Sequence, residues 1–406
     1  MRSRPEFKVS KLSSTRPDYP TNAFHVSFSY GNVGGNNKDS RRYYVRLVRG
    51  YPKMITFRQI FDSYTMCRKN KRNTINQLRF EVNAEQNLLA LQSELNDRTY
   101  RPRRSICFVV NKPKLREIFA ADFRDRIVHH LLVSHLELIA DPIFIHDSYA
   151  CRKGKGTHAA VKRLQSFMRS ITENNLKGAY YLQLDVRAFF FSINKDILLK
   201  IVEKYIRNAD MMWIARAVIF NDCTRNAIIK KGRSLLKYIP RHKTLFGQAS
   251  NKGLPIGNLT SQFFANLYLN QLDQFIKHTL KCRYYLRYMD DLLILHRDKR
   301  MLENWTEDIS DFLRDKLDLF LNESKTIMRP VSDGVDYLGY IVRPFYILVR
   351  RRVVSNIKSR LYSGTLDKKA YASYMGHFKH ANTYNLRQHI NHSIMDRYRA
   401  KGEYNG

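Results

Sequence analysis

The amino-acid sequence predicts an α+β protein: a core of short strands interleaved with helices, preceded by helices and followed by an all-α, basic lobe. Two patterns point that way. Short β-rich runs, "AYYLQLDV", "CRYYLRYM", "LLILH" and "VDYLGYIV", recur in the second half, and apolar residues at helical spacing lie before, between and after them. The size agrees, because 406 residues exceed what a single hydrophobic core supports, roughly 250 to 300. With 44 % hydrophobic residues, 25 Tyr and 23 Phe, the chain has enough apolar surface to fold.

In chain order, residues 1–50 combine basic side chains with Pro, Ser, Gly and Asn, including "GNVGGNNKDSRR", and read as a partly flexible extension with little helical or strand periodicity. From about Phe57 the pattern turns helical. "RFEVNAEQNLLALQSELND" sets Val82, Leu88, Leu89, Leu91 and Leu95 on one face, and "RIVHHLLVSHLELIA" predicts a buried stripe of Ile127, Leu131, Leu132, Leu136 and Ile139. "YLQLDVRAFFFSI" is an apolar strand ending in Asp185, with a turn that brings Phe189, Phe190 and Phe191 back over it. "TSQFFANLYLNQLDQFIKHTL" repeats at helical spacing, and "YYLRYMDDLLIL" reads as a hairpin with Met289 and Asp290 at its tip. "RRRVVSNIKSRL" opens the basic helical tail.

Charge narrows the function. Against 36 Asp and Glu stand 71 Lys and Arg, a net charge of +35. Such an excess opposes compaction, so a polyanionic partner is expected to neutralise it; nucleic acid fits first, ahead of a membrane surface or an RNA-binding role without chemistry. The five cysteines are an odd number and widely separated, which fits neither a zinc cluster nor a disulfide framework and suggests a reducing cytoplasm. The basic N-terminus lacks the apolar core of a signal peptide, and nowhere does an apolar run reach membrane-spanning length, so a soluble protein without a membrane partner is expected.

The carboxylates carry the chemistry. Asp185 and Asp290 lie 105 residues apart in sequence. If their strands are sheet neighbours they converge, and such a pair holds two Mg²⁺ ions about 4 Å apart, which activates a 3′-hydroxyl and steadies a leaving pyrophosphate. Taken alone, Asp290 and Asp291 also fit an ordinary turn.

"YMDD" at Tyr288 to Asp291, together with "LDVRAFF" at Leu184 to Phe190, resembles the two metal-binding motifs of reverse transcriptases. The resemblance spans about Arg79 to Gly376 and implies a right-hand polymerase: an extension at 1–50, fingers at 51–177, a palm with an antiparallel sheet at 178–345 and a small helical thumb at 346–406. It implies that Asp185, Asp290, Asp291 and the backbone of Val186 hold two Mg²⁺ ions, with Mn²⁺ as a substitute. Phe190 becomes a steric gate against the ribose 2′-hydroxyl. "NKPKLREIFAADFRDRIVHHLL" is similar to the fingers motif that grips the triphosphate, with Lys112, Lys114 and Arg116 as candidates. "SYACRKGKGTHAAV" resembles the next motif, in which Arg152, Lys153 and Lys155 would contact nucleic acid.

"GLPIGNLTSQFFANLYLNQLD" looks like the motif that supports nucleotide and template, through Gly257 and Gln262. Most relatives carry Gln-Gly and then Ser-Pro there; this chain has Ile256-Gly257 and Ser261-Gln262, a departure that resembles diversity-generating and defence-associated bacterial enzymes. "NESKT" offers Lys325 as general acid to pyrophosphate, and "YLGY" resembles the primer grip, with Tyr337, Gly339 and the following Arg350, Arg351 and Arg352 on nucleic acid. The partners implied are a structured noncoding RNA, dNTPs, the DNA product and an accessory protein or second polymerase encoded nearby, in a bacterial cytoplasm, with oligomerisation left open. The role expected is antiphage defence; the alternatives are a diversity-generating retroelement enzyme for error-prone copying of a template repeat, a maturase-like RNA binder that no longer polymerises, and an RNA-dependent RNA polymerase.

Overall fold

A computed structural model of the protein describes residues 7–12, 23–28, 55–69, 74–111 and 114–400. The chain divides into two compact units, Met1–Met54 and Ile55–Gly406. In the first, β1 (Phe7–Leu12) and β2 (Ala23–Phe28) pair antiparallel, from Phe7 opposite Phe28 to Leu12 opposite Ala23. The sequence expectation of little strand periodicity is corrected here: "FKVS" and "FHVSF" alternate apolar and polar residues, a period of two overshadowed by the surrounding turn-formers.

In the second unit α1 (Phe57–Arg68), α2 (Ile75–Glu81) and α3 (Ala84–Asn96) lead to β3 (Ile106–Val110), β4 (Arg116–Ala120), α4 (Phe123–Ala140) and α5 (Thr157–Ile171). The start of α1 is set by a capping box, in which Thr56 and Gln59 each accept the other's backbone N–H. The single amphipathic face expected over Val82 to Leu95 is broken between α2 and α3. Leu88, Leu91 and Leu95 are buried, whereas Val82 sits in the break and Leu89 turns to solvent. In α4 the predicted stripe is buried through Leu136, and Ile139 is left half-exposed.

A second helical and strand segment follows: β5 (Tyr180–Asp185), α6 (Phe189–Ser192), α7 (Lys195–Glu203), α8 (Ala209–Ile219), β6 (Ile228–Lys231), α9 (Arg233–Leu236) and α10 (Leu259–Gln274). Next come the hairpin β7 (Tyr284–Tyr288) and β8 (Asp291–His296), then α11 (Lys299–Leu317) and β9 (Ile327–Pro330). The chain closes with β10 (Val335–Tyr337), β11 (Tyr340–Val342), β12 (Ile347–Val349), α12 (Arg351–Tyr362), α13 (Lys368–Phe378) and α14 (Tyr384–Ala400).

The central sheet has the order β7-β8-β5-β9, with every pair antiparallel. A separate sheet, β4-β3-β6, packs Cys107 and Phe119 with Phe191, Cys223 and Leu245, and β10-β11-β12 packs with Phe378 and Ile390 of the C-terminal helices. β8 explains the unbroken run Leu292 to Leu295: all four are at most 1 % exposed. Leu292 and Ile294 pack with Phe264, Leu267 and Ile309 in one core, while Leu293 and Leu295 face Val161, Leu164 and Tyr337 in a second. A strand covered on both faces cannot alternate apolar with polar residues, and this one does not.

One buried histidine gives the fold a pH dependence. His129 on α4 is 6 % exposed, its Nδ1 finds no partner among the described residues, and burial pushes its pKa down to about 3. Above its unfolded value, near 6.5, the imidazole is neutral in both states. As the pH falls below that value the unfolded chain takes up a proton that the folded one refuses, so stability is lost, by roughly 3 kcal/mol at pH 4. His129→Gln is expected to flatten the melting temperature between pH 4 and 6.5 relative to wild type, measured by thermal unfolding across that range.

Candidate active site

The strand register assembles the site. Asp185, last residue of β5, lies directly opposite Asp291, first residue of β8, and Asp291 is also paired with Tyr288 of β7. Residues so paired have Cα atoms about 4.5–5.5 Å apart. Met289 and Asp290 form the two-residue turn between, with Met289 at φ 56°. Glycine is the usual occupant of that left-handed conformation in such a hairpin, so the surroundings must hold Met289 there.

The electrostatics follow from this crowding. Burial, then the Asp185 charge, pushes the Asp290 carboxyl up. Burial, then Asp290 and Asp185, pushes Asp291 up to about 7. The opposing cations are Lys325 and Arg116 for Asp290, and Lys325 and Lys114 for Asp291. Lys325 Nζ donates to both Asp185 oxygens at 2.7 Å, and Asn322 Nδ2 donates to Oδ2 at 3.0 Å while its backbone N–H meets Asp185 O at 2.8 Å. Asn322 was not foreseen, although it stands in the "NESKT" stretch that flagged Lys325.

Among the described residues no group of three or more His, Cys, Asp or Glu side chains is arranged to hold a metal ion by itself. Asp185, Asp290 and Asp291 nevertheless suit a hard divalent cation. They are clustered oxygen donors without sulfur or imidazole, and burial followed by the neighbouring carboxylate charges holds two of them above their usual pKa. Mg²⁺ commonly takes only one or two carboxylates, and substrate phosphates complete its shell. Val186 is buried beside them in an isolated bridge to Leu321, whose hydrogen bonds are made by the flanking Arg187 and Asn322 N–H groups.

Around this centre the sequence candidates separate. Phe190 is half-buried between Phe189 and Phe191, which are 2 % and 7 % exposed and do the core packing. Ala188, left-handed at φ 48°, turns the chain into this segment, and Leu254 N–H bonds Phe190 O at 2.7 Å. Lys114 and Arg116 are exposed at the start of β4; Lys112 lies outside the described residues. Gly257, at φ 122°, packs onto β4, where a Cβ would come within 2.7 Å of Phe119 O, so its glycine is required by this close approach before any nucleotide is considered. Gln262 is exposed on α10 and accepts a contact from Cys151 Sγ at 3.5 Å.

Three nucleic-acid candidates are engaged within the protein itself. Arg152 spends its guanidinium on Asp141 and on the carbonyls of Ile145 and Ser148, bracing its own loop. Lys155 donates to His146 O at 2.8 Å over the Tyr149 ring, whereas Lys153 remains exposed. Tyr337 is 1 % exposed in the second core, and its hydroxyl has no hydrogen-bond partner among the described residues. Strand alternation already hinted at this, since exposed Asp336 sends Val335 and Tyr337 inward. Gly339, at φ 94°, leaves room for His377, and Arg350 is held by Asp336. Arg351 and Arg352 are exposed at the start of α12, with no ion pair among the described residues.

The chain is mixed α+β, with carboxylates at the strand ends of its antiparallel central sheet faced by cations, and the family that its sequence matches makes its class the right-hand nucleic-acid polymerases. The chain belongs to the reverse transcriptase family, described as reverse transcriptase (RNA-dependent DNA polymerase), which it matches over residues 110–342. It is 25 % identical over 330 residues to the protein YkfC of Escherichia coli (strain K12), covering 72 % of this chain and 81 % of that one. It is 22 % identical over 354 residues to the group II intron-encoded protein LtrA of Lactococcus lactis subsp. cremoris, covering 70 % of this chain and about half, 54 %, of LtrA. Among solved structures, apo telomerase from Candida tropicalis truncated from its C-terminal domain aligns with a TM-score of 0.43 and 13 % identity, over 66 % of this chain and 60 % of that one.

Proposed function

We propose that the protein copies a dedicated structured noncoding RNA into DNA in the bacterial cytoplasm, by metal-dependent nucleotidyl transfer at Asp185, Asp290 and Asp291, and that this synthesis serves antiphage defence. The observation that carries the catalytic reading is the direct pairing of Asp185 with Asp291 at the strand ends, with Lys114, Arg116 and Lys325 facing the cluster. Two Mg²⁺ ions, or Mn²⁺, would be held by the three carboxylates and the Val186 backbone; when bound they lower the pKa of the primer 3′-hydroxyl and neutralise the pyrophosphate. Lys114 and Arg116 hold the triphosphate, and Phe190 lies against the sugar. Lys325, whose ammonium bonds Asp185 in this structure, would donate a proton to the leaving pyrophosphate. Positioning and charge neutralisation then supply most of the rate.

Fingers at 51–177, palm at 178–345 and thumb at 346–406 are the corresponding divisions. The net charge of +35 supports an extended nucleic-acid contact, with Arg351, Arg352 and Lys153 as exposed contributors. An accessory protein or second polymerase encoded nearby would complete the system. A second reading, error-prone copying of a template repeat, is favoured by Ile256 in place of the usual glutamine.

Sequencing the nucleic acid that copurifies with the protein tests the substrate. One enriched RNA with complementary DNA is expected; a broad sample of cellular RNA without DNA would contradict the proposal, and clustered misincorporation would favour the second reading. Phage plating on cells carrying wild type or Asp290→Asn tests the role, since equal plating would remove defence.

A further inference from the structure

Behind the catalytic turn lies an ion pair that the polymerase chemistry leaves unexplained. Arg287 and Asp273 are both 0 % exposed. Arg287 Nε and Nη2 meet the Asp273 carboxylate at 2.8 and 2.6 Å, and Tyr285 OH donates to Asp273 Oδ1 at 2.7 Å. A buried pair of this kind is a poor device for stability alone, because well-packed apolar residues do as well. Its geometry points elsewhere.

The remaining donors of the guanidinium reach three segments. Nη1 donates to Met289 O at 2.9 Å and to Asn266 Oδ1 on α10 at 3.0 Å, while Nη2 reaches Ser148 Oγ at 3.3 Å. The Arg287 backbone adds N–H to Asp147 O and C=O from Tyr149 N–H, both 2.9 Å. Met289 is the residue held at φ 56°, a conformation that resists an L side chain. One planar fork thus bonds the carbonyl of the strained residue and fixes it to α10 and to the 147–149 loop. Lysine has no such fork.

We infer that Arg287 is a positioning residue for the catalytic turn: by anchoring Met289 O it keeps Met289 left-handed, so that Asp290 and Asp291 stay aligned on Asp185. The inference rests on the reading of those aspartates as the catalytic carboxylates. Asp273 is its counter-charge, and it sets the orientation of the fork.

Two full-length variants test it. Arg287→Lys keeps the charge against Asp273 but cannot span Met289 O and Asn266 together; Arg287→Met with Asp273→Leu removes the pair while filling the space. Folding is followed by thermal unfolding, Mn²⁺ affinity by electron paramagnetic resonance without nucleic acid, and kcat and KM by single-dNTP incorporation. Both variants are expected to fold, to lose about 100-fold in kcat with KM for dNTP within about threefold, and to bind Mn²⁺ about tenfold more weakly. A purely structural pair would lower the melting temperature and leave Mn²⁺ affinity unchanged. Asp290→Asn run in parallel separates the failures: if it polymerises like wild type, the carboxylate reading falls. If it is inactive while a folded Arg287 variant matches wild type in kcat and Mn²⁺ affinity, the positioning claim is overturned. Failure of the double variant to fold would also overturn it, since the pair would then be needed for the fold itself.

Discussion

Replacing Asp290 and Asp291 together by asparagine is expected to abolish dNTP incorporation, by about 10⁴-fold or more, while RNA binding stays within about threefold. The loss follows from removing two of the three carboxylates that would hold the metal ions, whose contribution to charge stabilisation amounts to several kcal/mol, each 1.4 kcal/mol being about tenfold in rate. RNA affinity should persist because it is carried by the cations, not by this cluster. The same change is expected to stabilise the metal-free protein by about 1–2 kcal/mol. Burial and mutual repulsion hold both carboxyls above their usual pKa, and the neutral amides remove that repulsion. Incorporation assays, RNA-binding titrations and melting in a metal-free buffer check the three parts. Activity in the double variant would remove the site assignment.

Shortening Phe190 to alanine is expected to cut the preference for dNTPs over NTPs by about 100-fold, chiefly by admitting ribonucleotides. Phe189 and Phe191 are buried, but Phe190, five residues beyond Asp185, is only half-buried, and on the proposed function its ring lies against the sugar, where a 2′-hydroxyl would overlap it. Losing the overlap restores binding of the rejected sugar, a steric discrimination of about 1–3 kcal/mol that alanine removes. The core should tolerate the change, since the neighbouring rings do most of the packing. Competition between dNTP and NTP at single incorporation decides it; unchanged discrimination would return Phe190 to a packing role.

Much of the central sheet was legible in the sequence because it is local. The apolar run after Asp291, the strand before Asp185 and the hairpin between Tyr288 and Asp291 all depend on periodicity and turn position, and the register pairs those strands as expected. What escaped depends on tertiary neighbours. Arg152 looks like a phosphate ligand in a Gly/Lys loop, yet Asp141 and two carbonyls take its donors. Tyr337 stands in a stretch that resembles a primer grip, and the sheet β10-β11-β12 turns it into the core. Gly257 sits in a stretch that resembles a nucleotide motif, and its φ and the proximity of Phe119 O already require a glycine for packing. Arg287 reads as one cation among 71, and only burial beside Asp273 shows what it touches. The parallel pairing of β3 with β6 joins residues over a hundred positions apart, beyond the reach of any local pattern.

The most direct measurement is the incorporation of a single labelled dNTP by the purified full-length wild-type protein on an RNA template with an annealed primer, with Mg²⁺ or with excess chelator. Extension by the complementary dNTP that requires the divalent ion, fails with the matching NTP and disappears in the Asp290→Asn, Asp291→Asn variant is the predicted result. No extension in Mg²⁺ or Mn²⁺, while the protein still binds the primed RNA, would contradict the polymerase account and leave an RNA-binding protein in its place.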